Sequence, residues 1–152
     1  MNALGVLLTR FFIPGVPKAW ARAGVLTKVK TQTGYKHLDF PVHFDRTDKA
    51  WKTQVASKLD TDSPDIIFAG PLVLSLEFYL PRPRGKPKRI IYPDVRPDAD
   101  NLAKVIKDLM KGTVYKDDAQ IIDLHVYKRY ATITGVKITI SRPQTEDLRN
   151  AS

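Results

Sequence analysis

The sequence predicts an α+β domain in which a mixed β-sheet packs against two main helices and ends in a C-terminal antiparallel hairpin. Three observations carry that expectation. From Pro71 to Leu80, Leu72, Leu74, Leu76, Phe78 and Leu80 alternate with Val73, Ser75, Glu77 and Tyr79, the two-residue period of a strand with one buried face. Leu102, Val105, Ile106, Leu109 and Met110 fall at i, i+3, i+4, i+7 and i+8, the spacing of an amphipathic helix. The chain of 152 residues, 43% of them hydrophobic, is long enough for a core that buries roughly 70% of the unfolded surface. A single domain over 1–152 is expected.

The elements follow in chain order. Gly5 to Ile13 is rich in Leu, Val, Phe and Ile and stops at Pro14-Gly15, so it reads as a strand. Residues 16–44 hold no sustained period and read as a long, basic, partly ordered excursion. Thr47 to Leu59 carries Trp51, Val55 and Leu59 at four-residue spacing, a helix with one apolar stripe, closed by a turn over Asp60 to Pro64. After the strand that ends at Leu80, prolines at 81, 83 and 87 forbid regular structure and make a loop. The second helix is expected to begin around Asp100 or Asn101 and to end where Gly112 supplies a left-handed cap. Beyond a turn at Asp117-Asp118, Ile122, Leu124 and Val126 alternate with Asp123, His125 and Tyr127. Val136, Ile138 and Ile140 repeat the alternation after Thr134-Gly135, so these two segments read as the hairpin. The tail, 144–152, is expected to fray.

Composition narrows the function. There is no cysteine, which excludes disulfides and thiolate metal sites and is compatible with a reducing cytoplasm. No apolar run approaches the ~20 residues a membrane helix needs. The opening MNALGVLL lacks a preceding positive charge and is interrupted by Arg10, so it is not expected to act as a signal peptide. Lys and Arg number 25 against 16 acids, a formal net charge of +9, and the isoelectric point is near 9.8. A surplus of that size attracts polyanions, nucleic acid first among them. The charges are also segregated. Arg10, Lys18, Arg22, Lys28, Lys30 and Lys36 precede the first acid, Asp39, and the run PRPRGKPKR (Pro81 to Arg89) holds Arg82, Arg84, Lys86, Lys88 and Arg89 with no acid. Asp94, Asp98, Asp100, Asp108, Asp117, Asp118 and Asp123 are concentrated in one zone. A basic surface with one aspartate zone is what a metal-dependent enzyme acting on a polyanion needs.

Within that zone Pro97 biases Arg96 toward an extended conformation. Residues two apart in an extended segment project to one side, so Asp98 and Asp100 are expected to converge just ahead of a helix N-terminus. Bringing Asp117-Asp118 to the same place requires Thr113 to Lys116 to run back along a helix of about three turns, ~16 Å long. Clustered carboxylates repel one another unless a cation joins them. Mg²⁺ or Mn²⁺ suits such a set, taking one or two carboxylates and leaving room for phosphate and water. Lys104, four residues after Asp100, shares its helical face. Each residue also has a plainer use: Asp98 or Asp100 as a helix cap, Asp117-Asp118 as a turn, Lys104 as a surface ion-pair partner. Motifs for a phosphate-binding loop, a serine nucleophile elbow and a His-Glu-x-x-His zinc site are absent, and His37, His43 and His125 are scattered.

The stretch RPDADNLAKVIKDLMKGTVYKDDAQI resembles the signature of the RusA family of Holliday-junction resolvases, Asp-x-Asp-Asn-Leu-x-Lys, a helix, then Asp-Asp-x-Gln. Here it falls on Asp98, Asp100, Asn101, Leu102 and Lys104, then Asp117, Asp118 and Gln120. Weaker likenesses, among them Gly15-x-Pro17 and the segment HVYKRY, extend it over most of Phe11 to Ser141. Arg22-Ala23-Gly24 departs from the Arg-Pro-Arg run usual in that family. The resemblance implies a Mg²⁺-dependent endodeoxyribonuclease, with Mn²⁺ as a substitute, that acts as a homodimer on four-way branched DNA and makes paired symmetric nicks. It implies Asp98, Asp100 and Asp118 as metal-binding catalytic acids and Lys104 as the catalytic lysine. A bacterial origin, or a phage or prophage one, goes with it. Lys18, Arg22, Arg82, Arg84, Lys86, Lys88 and Arg89 are the expected phosphate contacts. Two other readings stay open: a basic DNA-binding protein with no enzymatic activity, and a metal-dependent nuclease for another nucleic acid.

Overall fold

The computed structural model describes residues 5–144; the fraying expected of the tail falls on residues outside them, beyond Gln144. The elements are β1 (Leu7–Pro14), β2 (Gly24–Thr31), β3 (Gly34–Phe44), α1 (Lys49–Asp62), β4 (Leu72–Leu80), α2 (Ala99–Met110), a 3₁₀ turn (Asp118–Gln120), β5 (Ile121–Tyr130) and β6 (Gly135–Ser141). Four strands make a mixed sheet in the order β1-β6-β4-β5. The β1–β6 and β6–β4 pairs are antiparallel, and β4–β5 is parallel because the chain crosses through α2 between them. The α+β class, the mixed sheet and the two helices agree with the sequence. The last two strands run in opposite directions across a short turn, as a hairpin would, but β4 stands between them, so the hairpin is split. Alternation sets which face of a strand is buried and carries no information about which strand lies beside it.

One face of the sheet meets both helices. The even-numbered residues of β4, with Ile13, Val136, Ile138 and Ile140, pack on Trp51, Val55 and Leu59 of α1 and on Leu102, Val105, Ile106 and Met110 of α2. Each large aliphatic side chain buried there contributes roughly 1.5–3 kcal/mol. The other face is polar: Glu77 is held between Lys137 at 2.8 Å and Arg129 at 3.5 Å. The Asp48 carboxylate caps α1 by accepting from the Trp51 amide at 2.8 Å. The helix runs one turn past Leu59, so the turn expected at Asp60 begins at Ser63. Hydroxyls at Thr61 and Ser63 bond back to carbonyls of the last turn and carry the helix through that polar stretch.

The segment 16–44 corrects the expectation of a partly ordered excursion. Its larger part is an antiparallel ribbon, β2 with β3, tipped at residues 32–33 and joined to no strand of the main sheet. Val25, Tyr35, Phe40 and Val42 are exposed. A ribbon open to solvent has no buried face, so the alternation that announces β4 is absent here. Its base is fixed beside α2, where the Trp20 amide donates to the Asn101 carbonyl at 2.9 Å and the Ala21 amide donates to Thr47 Oγ1 at 3.1 Å. No helix among the described residues is long and apolar enough to cross a membrane.

Candidate active site

The apolar stripe of α2 turns its opposite side outward, and Asp100, Lys104, Lys107 and Asp108 follow one another along that side. They form one wall of a cleft of about 580 Å³, together with Asn101 and Ala103. Leu124 and Val126 of β5 form the facing wall, and Asp118 completes the lining. The alternating apolar residues of β5 thus do less core packing than their pattern implies. β5 is an edge strand, and Ile122 and Leu124 remain exposed where α2 does not cover them.

Asp118 reaches this cleft because the chain doubles back after α2. Gly112 adopts a φ of 83°, and the amides of Thr113 and Val114 both donate to the Met110 carbonyl. Tyr115 is then buried against the helix, its hydroxyl 3.2 Å from the Lys107 carbonyl and 2.9 Å from Asp118 Oδ1. Burial first, and the hydrogen bond to the Asp118 carboxylate second, push the phenol far above its ordinary range, so it stays a donor to Asp118. Gln120 fastens the turn on both sides. Its amide oxygen accepts from the backbone N–H groups of Lys116 and Asp117 at 2.9 and 3.0 Å, and its nitrogen donates to the carbonyls of Phe68 and Gly70 at 2.9 and 3.0 Å.

The two aspartates of the pair have different surroundings. Asp117 caps the 3₁₀ turn by accepting from the Ala119 amide at 3.1 Å and lies 3.9 Å from Lys111. Asp118 lines the cleft. At the other end, α2 begins at Ala99, which makes Asp98 its N-cap residue and puts Asp100 inside the first turn. This corrects the extended geometry expected for the Asp98–Asp100 pair. Asp98 makes no side-chain capping bond, is exposed and is not part of the cleft lining. The structure therefore brings together Asp100, Lys104 and Asp118 and leaves Asp98 outside the lining.

Lys104 Nζ lies 5.3 Å from the centre of the Trp20 ring and 3.4 Å from Asp108 Oδ2. An exposed i, i+4 pair of this kind contributes little, so the ammonium is free to exchange that partner for a phosphate. Trp20 and Tyr115 were not singled out by sequence. A lone tryptophan among small residues and a tyrosine in a turn carry no spacing signal.

Of the expected phosphate contacts, Lys18, Arg22, Arg84, Lys88 and Arg89 are exposed and Lys86 is half-buried. Arg82 differs. Its guanidinium donates to the carbonyls of Pro87 and Ile90 at 2.7 and 2.5 Å and stacks over Tyr130 at 5.0 Å. It organises the loop that presents the other cations.

No three His, Asp or Glu side chains among the described residues form a ready-made metal cluster. The donor set nevertheless fits a hard divalent ion. Two carboxylates at an open cleft match the habit of Mg²⁺, which keeps several waters and takes substrate phosphate as a further ligand.

The family model described as endodeoxyribonuclease RusA matches residues 14–141. The chain belongs to the RusA family. The matched span takes in the ribbon, the basic loop, α2, the Asp117-Asp118 turn and both closing strands. Members of the RusA family are endodeoxyribonucleases of branched DNA junctions. The chain is also 28% identical over 141 residues to Uncharacterized protein YqaN of Bacillus subtilis (strain 168), an alignment covering 86% of this chain and 94% of that protein.

Proposed function

We propose that this RusA-family protein is a Mg²⁺-dependent resolvase that cuts four-way DNA junctions by paired, symmetric nicks. The observation that carries the reading is the meeting of Asp100, Lys104 and Asp118 at one cleft, reached from two ends of α2. Asp100 and Asp118 would hold the cation, with Asp98, the exposed N-cap residue of α2, as a further carboxylate that substrate binding draws in. When bound, the ion supplies polarisation of the scissile phosphodiester and an activated water at neutral pH. Lys104 contacts a non-bridging phosphate oxygen and stabilises the charge that develops there. Leu124 and Val126 keep the wall behind the phosphate apolar, which strengthens these interactions.

Exposed Lys18, Arg22, Arg84, Lys88 and Arg89, with half-buried Lys86, bind phosphates of the flanking duplexes, with affinity that falls steeply as salt rises. Two symmetric nicks call for two sites related by a twofold axis, so the working form is a homodimer. The test incubates the protein with a labelled synthetic four-way junction, the matching linear duplex and the single strand, in Mg²⁺, in Mn²⁺ and in EDTA. Paired nicks in the junction alone, lost in EDTA, are expected. Binding without cleavage in either metal would leave a DNA-binding protein, and equal cutting of linear or single strands would move the substrate elsewhere.

A further inference from the structure

We propose that Lys128 is a positioning residue that clamps the segment leading into α2, and so sets where Asp98 and Asp100 stand. The inference rests on the reading of these aspartates as metal-binding acids. Lys128 lies on β5 two and four residues beyond Val126 and Leu124, so all three project from the same side of the strand, the side that lines the cleft. Its ammonium donates to the Val95 carbonyl at 2.6 Å and to the Pro97 carbonyl at 2.9 Å. The second of these is the peptide oxygen immediately before Asp98.

Pro93 is buried, but the backbone of the segment has few other hydrogen bonds. Prolines at 93 and 97 remove two backbone donors. At its borders the Tyr130 amide donates to the Ile91 carbonyl and the Leu102 amide to the Asp98 carbonyl, both bonds within the ordinary range. Between them, among the described residues, the backbone of 92–97 has no hydrogen bond except the two from Lys128. Two charge-assisted bonds from one half-buried ammonium therefore replace the ladder that this proline-rich stretch cannot form. A lysine meets the geometry because its long stem crosses from the sheet to the loop and its three donors can serve carbonyls that point in different directions. Released from the clamp, the start of α2 frays at its first backbone bond, from the Leu102 amide to the Asp98 carbonyl, and loses its fixed distance from β5, and with it the placement of Asp100 in the cleft it shares with Asp118.

The experiment compares the full chain with Lys128→Met, which keeps the stem without donors, and Lys128→Arg, which keeps charge and donors. Three readouts are taken: Mn²⁺ uptake without DNA, followed by electron paramagnetic resonance; junction binding in EDTA; and amide exchange of Leu102 and Tyr130. Lys128→Met should weaken Mn²⁺ binding about 10–100-fold, the usual loss when a support of a metal ligand is removed. It should speed exchange at both amides and leave junction binding within twofold, while Lys128→Arg recovers most of the Mn²⁺ affinity. Wild-type exchange in Lys128→Met would overturn the clamp, whether or not metal binds. Normal Mn²⁺ uptake with lost junction binding would instead make Lys128 a phosphate contact. If the unaltered protein takes up no Mn²⁺, the metal-site reading fails, and the exchange data alone decide whether Lys128 holds the segment.

Discussion

Asp117 and Asp118 are adjacent in sequence and opposed in use. Asp117 spends its carboxylate on the 3₁₀ turn, where asparagine would accept the same Ala119 hydrogen bond, so Asp117→Asn should cut junctions at close to the unaltered rate. Asp118→Asn and Asp100→Asn should lower the cleavage rate by about 10²–10³-fold or more, while gel-shift affinity for the junction in EDTA holds. Equal losses at 117 and 118 would contradict this division. Tyr115 adds a graded case. Tyr115→Phe removes the hydroxyl between Asp118 and the Lys107 carbonyl. It should cost about 1 kcal/mol of unfolding free energy by urea denaturation and slow cleavage about tenfold. The signature residues were legible in the sequence, and the family resemblance pointed to Asp118 rather than Asp117; the contacts that set the two apart were not. Nothing in the letters Asp-Asp tells which carboxylate is consumed by a turn, and no spacing rule leads from Tyr115 to Asp118.

At the scale of elements, the ribbon of β2 and β3 stands apart from the core and carries Lys28, Lys30 and Lys36. Lys28 lies over the Tyr35 ring at 4.8 Å, and Lys28, Lys30 and their cross-strand partners His37 and Tyr35 occupy one face. A two-stranded ribbon has few contacts of its own to stabilise it in water. Replacing Lys28, Lys30 and Lys36 together by alanine should weaken junction binding at low salt and reduce the slope of log K against log salt by up to about 0.9 per lysine. The cleavage rate at saturating protein should stay within a few-fold, since none of the three lines the cleft. An unchanged slope would mean that the ribbon does not touch DNA. The strongly periodic elements, β4 and α2, were readable because each buries one face. The ribbon buries neither face, and its alternation was hidden for that reason.

For the whole molecule, the open face of the sheet couples stability to pH. Partial burial works to raise the Glu77 carboxyl, but hydrogen bonds from Lys137, Tyr79 and Arg129 outweigh it and hold the group below its ordinary value of 4.5. The Glu77 carboxylate in turn raises Lys137 above its ordinary 10.5. Glu77 thus contributes stability that is present above the unfolded value and is lost as pH falls through the lowered one. Lys137 contributes stability that is fully present below its unfolded value and is lost as pH rises through the raised one. The melting temperature of Glu77→Gln should therefore differ from the unaltered protein most between these limits, with the gap closing as pH falls below the ordinary carboxylate value of 4.5 and again as it rises above the ordinary ammonium value of 10.5. A gap independent of pH would mean that the pair acts through packing alone.

What the sequence by itself determined is the class of fold, the two helices, the core stripe of β4 and the aspartate signature, because periodic burial and fixed motif spacing are local properties of the chain. Only the tertiary structure decided that β4 divides β5 from β6, that Asp118 comes back to Asp100 along α2, that Asp98 sits outside the cleft lining and that Lys128 reaches across to the proline segment. Each of these depends on which distant segments share a neighbourhood. That is settled by closing one common core, and no window of residues contains it.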